Sequence, residues 1–265
     1  MESAPKIALA LGAGGVYGYA HIGVLQVLEE HGLRPDLVVG CSIGAVIGAL
    51  YGAGLSSRQL EMLGTHLRRS HWLDVTMTRM GVVSGQRLEG VLRLLTRDRR
   101  LEDLDPPLAV VATDIERGRK VVFTRGPAAT AARASSAIPG IFSPVRLGES
   151  LLVDGAVIER VPVDTARSLG ADRVLAVALG TLRDGRRVPV RHLFDVINQS
   201  FSIMQQELAA ERALRADVLV EPLAYEANAT SPAQADGLIQ AGRVAALGQI
   251  DAIKAMFERG VARRG

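Results

Sequence analysis

The residues Leu37-Val38-Val39-Gly40-Cys41-Ser42-Ile43-Gly44-Ala45-Val46-Ile47-Gly48-Ala49-Leu50-Tyr51 decide the fold class. Residues 36–41 are apolar after Asp36, the pattern of a strand buried on both faces and hence of a parallel sheet covered by helices. Residues 43–51 follow as a helix of small side chains. Between them lies Gly40-x-Ser42-x-Gly44, and a strand-to-helix turn of that composition is a candidate nucleophile elbow. A serine presented there needs strained backbone, and small residues two before and two after it let strand and helix approach without a Cβ clash. A helix opening at Ile43 also aims free N–H groups and its positive dipole end at the turn. Taken alone, the turn fits equally well a glycine-softened connection in which Ser42 only caps the helix.

Upstream, residues 7–11 form a second buried strand, and residues 18–31 carry Ile22, Leu25 and Leu28 at helical spacing with Gly32 as a stop. The connecting Gly12-Ala13-Gly14-Gly15-Val16-Tyr17-Gly18 exposes successive backbone amides, as an oxyanion hole or a phosphate cradle requires. A dinucleotide site would add an acid at the end of the second strand, but Asp36 begins that strand and Gly-Cys-Ser-Ile-Gly ends it.

Downstream the alternation continues. Residues 56–100 read as helical, with Ser56 or Ser57 and Ser84 as N-caps and a less regular link through Trp72, Met77 and Met80, a region suited to a flap or lid. Strands are expected at 108–113 and 120–124, an Ala-rich helix from Pro127 to about 137, and a short strand at 151–153 that ends at Asp154-Gly155. A helix through Ala166, a strand at 173–179, an Arg-rich loop at 181–191, a helix to about 214 and a strand at 218–221 follow. Ser231-Pro232-Ala233-Gln234 is a capping box that opens a final helix to about 259. The expected architecture is an α/β fold with a mainly parallel central sheet covered by helices on both faces, a three-layer sandwich formed as a single domain over 1–265.

Composition narrows the function classes. The 265 residues are 48% hydrophobic and 22% charged, which excludes a disordered chain. A net charge of +3 argues little for a polyanion partner, and the Arg clusters at 97–100 and 183–191 lack aromatic interleaving, so no nucleic acid is expected. The single cysteine, Cys41, excludes a disulfide framework, and no cluster has metal-ligand spacing, so neither metal nor cofactor is expected. Two uncharged stretches, 7–28 and 37–57, match a membrane span in length, but glycines interrupt both, and each reads as strand, turn and helix. The N-terminus lacks a signal-peptide pattern, so the expected location is the cytoplasm, with peripheral contact at the inner membrane face left open.

A glycine loop after strand one, G-x-S-x-G after strand two and Asp154-Gly155 about a hundred residues later together resemble the bacterial patatin-like phospholipases. Ala112-Thr113-Asp114-Ile115, the block Arg133-Ala134-Ser135-Ser136-Ala137-Ile138-Pro139-Gly140-Ile141-Phe142, Ala176 and Glu221-Pro222 extend that resemblance over roughly 6–222. It implies a serine acyl hydrolase acting on phospholipids, lysophospholipids or related acyl lipids through a Ser–Asp dyad. Ser42 would be the nucleophile, Asp154 the base, Gly14, Gly15 and Ile43 the oxyanion hole, and Gly40 and Gly44 the elbow. An acyltransferase and a regulatory or adaptor protein with weak activity remain as alternatives.

The chain departs from the family pattern at Ala13, at Tyr17 where relatives carry Arg or Lys, and at Glu159-Arg160 where relatives are Asn-rich. His21 is expected to brace the glycine loop, Cys41 to be a core residue, and His192 to stand apart from catalysis. Arg68-Arg69-Ser70-His71-Trp72-Leu73 is expected to be a packed aromatic beside a solvated charge run, or else a flap that meets lipid head groups.

Overall fold

The computed structural model describes residues 5–66, 72, 74, 80–180, 190, 196, 199–205, 207, 213–222 and 232–258. The apolar runs become strands: β1 (Ile7–Leu11), β2 (Leu37–Cys41), β4 (Leu108–Asp114), β9 (Arg173–Val177) and β10 (Val218–Val220) pair in parallel in the order β10-β9-β1-β2-β4. Antiparallel strands complete the eight-stranded sheet, with β5 (Arg119–Phe123) and β8 (Ser150–Asp154) on β4 and β7 (Val145–Leu147) on β8.

Side-chain alternation along β1 separates the two faces. Ile7, Leu9 and Leu11 join the larger core under α1 (Tyr19–Glu30) and α2 (Ile43–Gly52), whereas Ala8 and Ala10 join a smaller cluster with Val163 and Ala166 of α6 (Val163–Ser168). Helices therefore cover both faces, as the double-sided burial of β1 and β2 requires. Strand order reverses between β1 and β9, and such a reversal leaves a crevice at the C-terminal strand ends. The glycine loop after β1 and the Ser42 turn after β2 lie at those ends.

Residues 56–100 are not one helical run. They hold α3 (Ser57–His66), a short strand β3 (Gly81–Val83) and α4 (Gln86–Leu95). Strand β3 pairs in parallel with β6 (Gly140–Phe142), a partner about 60 residues away that local periodicity does not reveal. Ser56 caps α3 in a reciprocal box with Gln59, but Gly85, at φ +75°, occupies the cap of α4 in place of Ser84. The Ala-rich helix α5 begins one residue later than expected, at Ala128, with Pro127 as its N-cap, and ends at Ser135. The final helix is two helices, Pro232–Leu247 and Ile250–Phe257, separated at Gly248-Gln249. Among the described residues, no helix is long and apolar enough to cross a membrane, and the stretches 7–28 and 37–57 each divide into strand, turn and helix or helices. Residues 68–71, 73 and 77 of the expected flap, most of the loop at 181–191 and His192 lie outside the described residues. Trp72 is described and packs partly buried against the main core.

Candidate active site

Strand β4 brings the two ends of the candidate dyad together. Cys41, the last residue of β2, registers with Val111, and Asp154, the last residue of β8, registers with Ala112. Ser42 is thereby carried past the end of β2 toward Asp154, and its hydroxyl donates a 2.6 Å hydrogen bond to Asp154 Oδ2. Both side chains are buried.

Ser42 sits at φ +54° and ψ −123°, a backbone conformation that non-glycine residues rarely adopt and that the surrounding structure must hold in place. Gly40 and Gly44 make the turn possible by close approach. A Cβ on Gly40 would lie 2.5 Å from Ala45 Cα, and one on Gly44 would lie 2.1 Å from Leu11 O. Ser135 of α5 fastens the turn, because its Oγ accepts the Ser42 amide at 2.8 Å and donates to Val111 O at 2.6 Å. Asp154 is equally fixed: Oδ1 accepts the Ala156 amide at 2.8 Å, its carbonyl accepts Thr113 Oγ1 at 3.0 Å, and its amide donates to Ala137 O at 3.0 Å.

Burial pushes the Asp154 carboxyl up to about 6, against the lowering pull of the Ser42 hydroxyl, the Ala156 amide and the Arg160 charge. That is a stronger base than a free aspartate, yet one that is ionised at neutral pH.

The glycine loop divides into used and free amides. Gly12 N–H donates to Val177 O at 3.0 Å and Ala13 N–H to Arg160 O at 2.8 Å, so both anchor the loop. Among the described residues, the amides of Gly14, Gly15 and Ile43 have no acceptor, and the Ile43 amide opens α2 at its positive dipole end. The two loop glycines are needed for different reasons. A Cβ on Gly14 would fall 2.6 Å from Leu179 Cβ, whereas Gly15 has open space but sits at φ +55°.

Gly14→Ala is therefore expected to displace the loop and lower turnover by about a hundredfold to a thousandfold, the usual loss for one oxyanion donor. Gly15→Ala is expected to fold with a strain cost of about 1–2 kcal/mol. Steady-state kinetics on Gly14→Ala and denaturant unfolding of Gly15→Ala check the two expectations, and wild-type turnover in a folded Gly14→Ala would move the oxyanion donors elsewhere.

His21 braces the loop from α1. Gly12 O can only accept, so His21 Nε2 carries the proton and donates at 2.8 Å, and Nδ1 has no partner among the described residues. Burial pulls its pKa down to about 4, so it is neutral, and its donor is committed to the backbone. Cys41 packs with Ala13 and Ala156, and burial pushes its thiol well above the ordinary range, as fits a core residue. Sequence reasoning gave no role to Ser135, although it lies inside the Arg133-Ala134-Ser135-Ser136 block.

Curated relatives and solved structures resemble the chain over this region. It is 36% identical over 180 residues to an uncharacterized NTE family protein of Mycobacterium tuberculosis, covering 67% of this chain and 50% of that protein. It is 36% identical over 183 residues to patatin-like phospholipase domain-containing protein 6 of Homo sapiens, covering 66% of this chain and 13% of that protein. The chain thus spans about half the length of the mycobacterial relative and a small part of the human one. In fold it resembles VipD from Legionella pneumophila, with a TM-score of 0.65 and 13% identity over 96% of this chain and 67% of that one. It also resembles ExoU from the type III secretion system of Pseudomonas aeruginosa, with a TM-score of 0.56 and 17% identity over 95% of this chain and 54% of that one. A family model described as patatin-like phospholipase matches residues 9–167, the span that holds the glycine loop, Ser42 and Asp154, and the chain belongs to the patatin-like phospholipase family.

Proposed function

We propose that the chain is a serine acyl hydrolase that cleaves carboxyl esters of phospholipids, lysophospholipids or related acyl lipids through a Ser42–Asp154 dyad. The observation that carries this is the 2.6 Å hydrogen bond from Ser42 Oγ to a buried carboxylate, in a turn whose next amide, that of Ile43, has no acceptor among the described residues. Family membership supports the acyl-lipid substrate class.

As Ser42 Oγ forms its bond to the ester carbonyl carbon, its proton passes to Asp154 Oδ2. The carbonyl oxygen gains negative charge within reach of the Gly14, Gly15 and Ile43 amides, which are held in place before reaction. Collapse breaks the bond to the leaving oxygen, which takes the proton from Asp154 and leaves an acyl group on Ser42. Water then gives a proton to Asp154 and attacks the acyl carbon, and Ser42 recovers its proton as the acid departs.

The base must be ionised in the free enzyme. Activity should accordingly fall on the acid side with a midpoint near the Asp154 value of about 6, and kcat/KM measured across pH with a non-ionising ester checks this. A fluorophosphonate probe tests the nucleophile: mass spectrometry should place the adduct on Ser42, and an adduct on another residue would contradict the assignment. Esters of graded chain length define the acyl preference, and products formed with and without an alcohol acceptor distinguish hydrolysis from acyl transfer.

A further inference from the structure

Helix α5 ends where the two halves of the dyad meet. Ser135, its final residue, is fully buried, and its hydroxyl lies between partners of opposite demand, since the Ser42 amide can only donate and Val111 O can only accept. Val111 O in turn borders the backbone just beyond the base, because a Cβ on Gly155 would collide with it. Two residues after Ser135, Ala137 O takes the Asp154 amide at 3.0 Å. One stretch of chain thus holds Ser42 by a side chain and Asp154 by a carbonyl.

The Ser42 end of this link carries the strain. Ser42 O accepts the Ala45 and Val46 amides at 2.9 and 3.2 Å, so α2 fixes the peptide after Ser42, and the 2.8 Å bond from Ser135 fixes the peptide before it. Gly40 and Gly44 leave room for the φ +54° turn but place no bond on Ser42 itself. Without the Ser135 hydroxyl the Ser42 amide loses its buried acceptor, and a strained residue held from one side alone relaxes through its free peptide. Its Oγ then leaves the line to Asp154 Oδ2.

We propose that Ser135 is a positioning residue of the hydrolase: its hydroxyl, bonded to the Ser42 amide and to Val111 O, sets the placement of Ser42 Oγ against Asp154 Oδ2 and with it the rate of attack on the ester. The proposal rests on Ser42 being the nucleophile. The role needs a short side chain that accepts and donates together, which serine and threonine supply, cysteine supplies weakly and alanine lacks.

The test measures single-turnover acylation by a soluble ester, and the rate of fluorophosphonate labelling, in Ser135→Ala, Ser135→Cys and Ser135→Thr, with Ser42→Ala assayed in parallel. Acylation at saturating ester should fall about tenfold to a hundredfold in Ser135→Ala, the loss that follows displacement of a reacting atom by up to an ångström. Labelling should slow with it, while the half-saturating ester concentration stays near wild type, because Ser135 is buried and acts through Ser42. Ser135→Cys keeps the shape of the side chain and should lose activity too, and Ser135→Thr should recover most of the rate. If Ser135→Ala does not fold, the contrast between Ser135→Cys and Ser135→Thr carries the test. Wild-type acylation in a folded Ser135→Ala or Ser135→Cys, or equal losses in Ser135→Cys and Ser135→Thr, would overturn the role of Ser135 alone. A folded Ser42→Ala that is active would instead remove Ser42 as nucleophile.

Discussion

Ser42→Ala is expected to abolish ester hydrolysis while leaving the fold intact. The variant loses one oxygen from a buried turn whose shape is set by Gly40, Gly44 and the Ser135 bond to the residue-42 amide, and none of these depends on the Ser42 hydroxyl. Without Oγ there is no atom to carry the acyl group, and loss of a serine nucleophile costs about a millionfold in turnover where it has been measured. The alanine inherits the φ +54° backbone, so a modest stability change is expected and circular dichroism should remain that of wild type. A folded Ser42→Ala that retains most of its activity would remove the nucleophile assignment.

Asp154→Asn is expected to lower activity by orders of magnitude and at the same time to raise stability. Asparagine can keep the Ala156 amide on its oxygen and turn its NH2 toward Ser42, but it cannot take the serine proton. The stability sign follows from proton linkage. The folded carboxyl titrates at about 6 against an ordinary 3.8, so between those values the folded state holds a proton that the unfolded chain has released. Stability therefore declines as pH rises through that window, and by pH 7 the ionised carboxylate costs about 3 kcal/mol. Asparagine carries no such charge, so its melting temperature at pH 7 should exceed that of wild type by several degrees, with the gap closing below pH 4. Thermal melts at the two pH values check this. His192→Ala should cost little, and a loss there as deep as that of Asp154→Asn would indicate a Ser–His–Asp triad.

Parts of the site were legible because each is a local pattern with its own physical requirement. The turn Gly40-Cys41-Ser42-Ile43-Gly44 announces a close approach of strand and helix, Gly12 to Gly15 announces exposed amides, and the apolar runs at β1 and β2 announce a sheet covered on both faces. What stayed hidden depends on distant partners. Three-residue strands such as β3 and β6 are too short for any periodicity and exist through pairings such as Val83 with Phe142. Ser135 reaches the amide of a residue 93 positions away, and nothing in its own neighbourhood signals that. The division of the glycine loop into anchored and free amides follows from Val177 and Arg160, which only the folded sheet brings alongside. The break in the last helix did leave a trace, since Gly248 follows Leu247 where a helix terminus favours glycine.

Trapping the acyl-enzyme tests the central claim most directly. The full chain is mixed with an activated ester of a fatty acid, quenched in acid within the first turnover, digested and mapped by mass spectrometry. The predicted result is an acyl mass on the peptide containing Ser42, absent in Ser42→Ala and formed far more slowly in Asp154→Asn. Hydrolysis that proceeds at the wild-type rate with no acyl group on Ser42, or with the acyl group on a different residue, would contradict it.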